Sequence, residues 1–278
     1  ISHAAWQIAS ETCLYEKFDA WGWLDARYTP HAIAGSRDLI DAYHREVAAR
    51  MPVKPIAQLA EDHPGAAPAN FGAASEVSPG NMTAYGFAID GVHYTGGCQT
   101  RHGEYPFCEV MDLPSYSLAK SVVAGIALMR LEYLYPGATK TPIRDYVPEC
   151  TTDDRWDGVT FGNTLDMATG LYRSKADQAD ENADGTGRFF FPADHAHKIR
   201  YACREYERKS PPGTLWVYHT SDTYALGTAL NGFLRKRLGP AADFYRDLLV
   251  EPLWKPLSLS PPVAVTRRTY DKVTQPFS

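Results

Sequence analysis

Pro114-Ser115-Tyr116-Ser117-Leu118-Ala119-Lys120, followed directly by Ser121-Val122-Val123-Ala124-Gly125-Ile126-Ala127-Leu128-Met129-Arg130-Leu131, is the stretch that decides the fold. Proline suits a chain entering a helix, and the residues after it run apolar to Tyr135, where Pro136-Gly137 stops them. One buried helix starting near Ser117 is expected. On it Ser117 and Lys120 share a face within a single turn. A serine hydroxyl becomes a useful nucleophile when a base takes its proton, and an amine can be that base when burial or neighbouring charge depresses its pKa. Val, Ile, Leu and Ala supply the burial. The positive end of the helix dipole falls on the serine, where an alkoxide or acyl oxyanion would develop.

Ser-x-x-Lys has only two fixed positions and arises often by chance. Here every other lysine lacks a serine three residues before it, so the single match falls where the apolar helix begins. A lysine in the first turn of such a helix needs a reason to be there, because solvated lysines belong on polar faces.

Composition bounds the rest. With 278 residues, 44% of them hydrophobic, the chain can bury a large core as one big domain or two modest ones. A formal net charge of -5 without Lys/Arg runs leaves no electrostatic footprint for nucleic acid. No apolar run is long enough to span a bilayer, since Arg130 and Glu132 interrupt the longest. Ile1-Ser2-His3 opens without a signal peptide, as a processed or trimmed chain would. The five cysteines, at 13, 98, 108, 150 and 203, have no Cys-x-x-Cys spacing, so zinc is not expected. Cys98 and Cys108 flank a short polar loop and can be bridged in an oxidising compartment; with an odd number of cysteines, at least one must remain unpaired. The sequon Asn81-Met82-Thr83 is compatible with secretion. Localisation stays open, leaning periplasmic or secreted.

Along the chain, a helical start is expected around Ala4 to Phe18. Ser36 should cap a helix over Arg37 to Arg50 with Leu39, Ile40, Tyr43 and Val47 on one face. Met51 to Pro79 reads as irregular connection. Residues 83–89 and 92–95, joined by Asp90-Gly91, give the clearest hairpin signal, with a type I' turn. Residues 159–171 predict a short helix closing on Gly170. Residues 173–188, charged and glycine-rich, predict an exposed loop, with a lid over a pocket as the minority reading. Asp194, His195 and His197 read as a polar helix start rather than a metal site. Pro211-Pro212-Gly213 leads into an extended run, after which Thr220 or Ser221 caps a helix carrying Leu226, Leu230, Phe233 and Leu234. Tyr218 thus lies just before a helix N-terminus, where it reads first as a core tyrosine hydrogen-bonded at the helix start and, as the alternative, as a phenol held in place with its anion favoured.

Taken together, Ser117-Leu118-Ala119-Lys120, Leu165-Asp166-Met167-Ala168-Thr169-Gly170-Leu171, and Pro212-Gly213 followed by Trp216-Val217-Tyr218-His219-Thr220 resemble the serine beta-lactamase and penicillin-binding-protein superfamily. The nearest pattern is its class C-like branch, with family VIII esterases and aminohexanoate-oligomer hydrolases. The resemblance covers roughly residues 83 to 260. It implies an α+β fold in which an antiparallel sheet is flanked by helices, with a mostly helical subdomain at about 121–240. The domains become an N-terminal helical or irregular extension over 1–82 and a hydrolase domain over 83–278. It implies Ser117 as the acylated nucleophile, Lys120 as its proton acceptor and Tyr218 as general acid/base, with Thr220, Tyr116 and Asp222 in substrate binding. No metal or organic cofactor is needed.

The chain departs from the pattern in two places. Thr220 stands where the Tyr-x-Asn motif has asparagine, which tilts the substrate from beta-lactams towards esters or other amides. Ser221-Asp222-Thr223 can instead be aligned to the Ser-Asp-Asn motif of class A enzymes, but Tyr218 holds the expected place after Pro-Gly and before a helix. Nothing downstream matches the Lys-Thr-Gly or His-x-Gly edge strand, so the C-terminal strands are expected from a companion C-terminal fragment of the same precursor. The expected function is a serine hydrolase acting on a small-molecule ester or amide, with D-amino acid peptides a weaker candidate. The alternative is a catalytically inactive binding or regulatory module on the same scaffold.

Overall fold

The computed structural model describes residues 2–8, 20–73, 75, 77–78, 81–111, 113, 115–271 and 273–276. Helices take 44% and strands 14%, a mixed α+β composition in which the largest sheet has three strands. Two compact units are present, residues 1–114 with 258–262, and residues 115–257 with 263–278. The boundary expected at 82/83 falls instead at 114/115, because the Asp90-Gly91 hairpin pairs with an earlier strand and sorts with the N-terminal unit.

That unit opens with an antiparallel pair, β1 (Ser2–Ile8) and β2 (Ala20–Ala26), in register from Ser2 with Ala26 to Ile8 with Ala20. The helical start expected from Ala4 is therefore corrected to strand over its first residues, and its remainder, 9–19, lies outside the described residues. The physical reason is on β2, where Trp21 and Trp23, two apart and so on one face, set their rings edge-on to Tyr105 and Phe107. Helix α1 (Ser36–Ala49) is entered through Gly35 at φ 72, so Ser36 is its first residue rather than its cap. Its apolar face, Leu39, Ile40, Tyr43 and Val47, is exposed.

The stretch from Met51 contains order that composition does not signal: β3 (Val53–Pro55) and one turn of helix, α2 (Leu59–Asp62). The expected hairpin is present as β4 (Tyr85–Ile89) and β5 (Val92–Gly96). Asp90 and Gly91 both have positive φ, 49 and 75, as a type I' turn demands. β3 runs parallel to β5 on its other side, so the sheet order is β3-β5-β4 and the sheet is not purely antiparallel. Tyr94, 1% exposed, donates its hydroxyl to Asp62 at 2.7 Å, and Lys54 reaches the same oxygen at 2.6 Å. A two-residue pair follows, β6 (Gln99–Thr100) with β7 (Gly103–Glu104), and Cys98 is bonded to Cys108. Cys13 lies outside the described residues.

The second unit contains only isolated bridges and no multi-residue strand among the described residues. Its first helix is π-wound over Lys120–Gly125 and continues as α3 (Ile126–Leu134). The expectation of a buried helix holds for one stripe only. Ala124, Ala127, Leu128 and Leu131 are buried, whereas Leu118, Val122, Met129 and Tyr133 face outward. Helix α4 (Phe161–Leu165) is opened by a capping box between Thr160 and Asn163 and ends well before Gly170. Gly170, at φ 79, serves another purpose: its carbonyl accepts from the amides of Lys209 and Ser210, and a Cβ there would collide with the Ser210 carbonyl.

Two short helices follow, α5 (Gly187–Phe190) and α6 (His195–Arg204), the latter capped by the Asp194 carboxylate on the His197 amide at 3.0 Å. The long helix α7 (Thr220–Leu238) is buried on all sides from Thr220 to Gly227 and then presents Ala229, Leu230, Phe233 and Leu234 to the core. Leu128, Leu131, Trp156, Ile199 and Leu249 complete that core. Cys150 is bonded to Cys203 within it, a bridge the spacing gives no hint of. Among the described residues no helix is long and apolar enough to cross a membrane.

Candidate active site

The site lies wholly within the second unit and is assembled from three segments. At the first, the chain turns through Tyr116 at φ 45, a backbone conformation costly for an aromatic residue. The amides of Leu118, Ala119 and Lys120 bond to the carbonyls of Ser115, Tyr116 and Ser117 at 3.0 to 3.1 Å. These tight turns set Ser117 immediately before the helix and lead into the π-wound segment, which begins at Lys120. Ser117 is exposed and Lys120 is 8% exposed, so a solvent-facing hydroxyl stands beside a buried amine.

The second segment is the run 211–219. Its backbone is tied to the residues after α4, Gly213 N to Ala168 O at 2.7 Å and Val217 N to Met167 O at 2.9 Å. This holds Tyr218 at the mouth of α7, where its hydroxyl is hydrogen-bonded to Ser117 Oγ. Lys120 Nζ lies 3.1 Å from Ser117 Oγ, 3.0 Å from Thr220 Oγ1 and 4.9 Å from the centre of the Tyr218 ring. Tyr218, 101 positions from Ser117, is thus brought into one hydrogen-bonded cluster with Ser117 and Lys120.

The third segment, expected to be an exposed charged loop, is exposed or half-exposed over most of 173–188, but two of its polar side chains are buried. Asp180 is 4% exposed and Thr186 is also buried. Glu181 takes the Thr220 amide at 3.0 Å and the Thr220 hydroxyl as well. A carboxylate from the loop therefore satisfies the first turn of α7 and meets the positive end of its dipole. His219, rather than Thr220 or Ser221, occupies the capping position, without a side-chain cap.

Asp180 and Asp222 flank the His219 imidazole. Nε2 is 3.0 Å from Asp180 Oδ2, and Nδ1 is 3.6 Å from Asp222 Oδ2, an ion-pair separation too long for a hydrogen bond. Burial works against charge on this imidazole, but Asp222 and Asp180 outweigh it and hold its pKa above the usual histidine value. The ring stacks on Tyr206 at 4.0 Å and 10°. Burial, then the hydrogen bond shared with Tyr201, pushes the Tyr206 phenol up.

Two residues expected to touch substrate are otherwise engaged. Asp222, 1% exposed, faces His219 and takes the Thr169 hydroxyl at 3.4 Å, so it lies within the protein rather than on a substrate surface. Thr220 spends its hydroxyl between Lys120 and Glu181, which leaves it no hydrogen to offer a substrate. Tyr116 is 40% exposed beside Ser117. Asp180, Glu181 and His219 went unsuspected, since an acidic pair in a polar loop looks like solvated charge until the fold closes over it. His195 donates to or accepts from Tyr224 at 2.7 Å and is buried in the core. Among the described residues no group of three His, Cys, Asp or Glu is arranged to hold a metal ion.

No protein-family model matches the chain, and no curated protein matches it significantly. The geometry around Ser117 is what a functional reading has to rest on.

Proposed function

We propose that this chain is a serine hydrolase of the beta-lactamase and penicillin-binding-protein type, cleaving a small ester or amide through an acyl-enzyme on Ser117. The observation that carries the reading is the convergence of Lys120 Nζ and the Tyr218 hydroxyl on Ser117 Oγ. Ser117 attacks the carbonyl as Lys120 takes its proton. Tyr218 then protonates the leaving group and later helps to activate water for deacylation. The Ser117 amide, at the helix start, supplies one oxyanion donor worth about 3 kcal/mol.

The engaged Thr220 hydroxyl supports esters and simple amides over substrates that need an asparagine contact at that position. Two disulfides favour an oxidising compartment.

The test is covalent labelling by a fluorophosphonate, followed by mass analysis of the adduct. Labelling on Ser117 that disappears in Ser117→Ala is expected. Equal labelling of that variant would overturn the assignment. The same Thr220 geometry also suits the second reading, an inactive module, and hydrolysis of p-nitrophenyl acetate or butyrate separates the two. Comparing these esters with D-Ala-D-Ala peptides tests the narrower peptidase possibility.

A further inference from the structure

Asp180 and Glu181 are consecutive, and so are His219 and Thr220; the first pair grips the second. Asp180 accepts from His219 Nε2 at 3.0 Å while its two oxygens also take the amides of Arg173 and Ser174 at 2.8 and 2.9 Å. Glu181 holds Thr220 through both its amide and its hydroxyl. The loop is therefore fixed by Asp180, and Glu181 is delivered by it to Thr220, whose hydroxyl touches the buried amine.

A threonine hydroxyl has one hydrogen. Because Glu181 takes it, the Thr220 oxygen can only accept from Lys120, and the 3.0 Å contact is an N–H to oxygen bond of fixed direction. One N–H of the amine is thereby pinned whether Lys120 is charged or neutral. The remaining positions on Nζ, including the lone pair of the neutral amine, can be turned toward Ser117 Oγ at 3.1 Å. Were the Thr220 hydrogen free, it could point at Nζ itself and occupy that lone pair.

We propose that Glu181 is a positioning residue for Lys120, acting through the Thr220 hydroxyl to keep the amine oriented as the proton acceptor of Ser117. This rests on the serine-hydrolase reading above and extends it to a residue that never meets substrate. The carboxylate matters for its acceptor strength and charge, and Thr220 for its hydroxyl rather than its methyl group.

The experiment measures the rate of fluorophosphonate labelling against pH for the full chain and for Glu181→Gln, Thr220→Val and Thr220→Ser, with Ser117→Ala as the reference. Glu181→Gln and Thr220→Val should label roughly 10- to 100-fold more slowly and with a displaced pH midpoint, as a misaligned proton acceptor would. Thr220→Ser, which keeps the hydroxyl, should restore both. Thermal unfolding of each variant is followed in parallel, and if Glu181→Gln fails to fold, the Val and Ser pair at one position decides the matter. Wild-type rates and an unmoved midpoint in Glu181→Gln or in Thr220→Val, with Ser117→Ala unlabelled, would overturn the positioning role alone. Labelling of Ser117→Ala at the wild-type rate would overturn the underlying reading instead.

Discussion

Asp180 and His219 are 39 positions apart in sequence, yet Oδ2 of one lies 3.0 Å from Nε2 of the other with both side chains almost fully buried. This contact fastens the 173–188 loop to the start of α7. Removing one member of a buried, hydrogen-bonded pair strands the other and typically costs about 3 to 5 kcal/mol. Asp180→Ala should therefore lower the unfolding free energy by about that amount in urea titrations. An unchanged midpoint would show that the loop is held by other contacts.

The charge on His219 has its own pH signature. Its folded pKa is raised above 6.5, so the stabilisation is complete below that value and is lost as pH rises through the folded pKa. The groups facing the ring are Asp180 from the loop and Asp222 from α7, with the Tyr206 ring stacked on it. Wild type minus His219→Gln, measured as unfolding free energy at several pH values, should shrink as pH climbs from about 6.5. A difference that is flat with pH would sink the assignment of charge to this imidazole.

Lys198 should behave in the opposite sense. It is 1% exposed, and burial, helped by Arg267, lowers its pKa from 10.5 to about 8. The unfolded chain then binds the extra proton between those values, so stability rises with pH from about 8 to 10.5. At about 1.4 kcal/mol per pKa unit the full span is on the order of 3 kcal/mol. Lys198→Met should abolish the rise, though it also deprives the Phe189 and Phe190 carbonyls of their donor. Denaturant titrations from pH 7 to 10.5 measure it.

The Cys150–Cys203 bond closes a loop of 53 residues in the core. Restricting the unfolded chain over that length contributes about 4 kcal/mol on the loop-entropy view. Cys150→Ala with Cys203→Ala should unfold at a markedly lower temperature, and reductant should then have a smaller effect on the variant than on wild type.

Tyr218→Phe removes only the oxygen that meets Ser117. On the proposed mechanism, turnover of p-nitrophenyl acetate should fall roughly 100- to 10,000-fold, the range of a lost general acid/base, with folding retained. Wild-type turnover would exclude the phenol from proton transfer.

Local pattern was enough to locate several features. Asp90-Gly91 made a hairpin because two positive φ values in succession are available to that pair at low cost. The spacing of Leu226, Leu230, Phe233 and Leu234 marked the buried face of α7, and the apolar run after Ser117 marked a helix. Ser117 with Lys120 was visible because one turn of helix joins them.

Other features depended on partners distant in the chain. Tyr218 reaches Ser117 only because 213–217 is strung along 167–168 by backbone hydrogen bonds. Residues 2–8 became strand because 20–26 lies alongside them. Glu181 and Asp180 turned from surface charges into structural carboxylates when the start of α7 closed over them.

The sequence by itself determined what short-range physics controls, namely turns, helix stripes and a serine one helical turn from a lysine. Which charges are buried, which hydroxyl meets which amine, and which cysteines are bonded were decided by tertiary structure. Burial and ion pairing depend on residues that are neighbours in space but 39 to 101 positions apart in the chain.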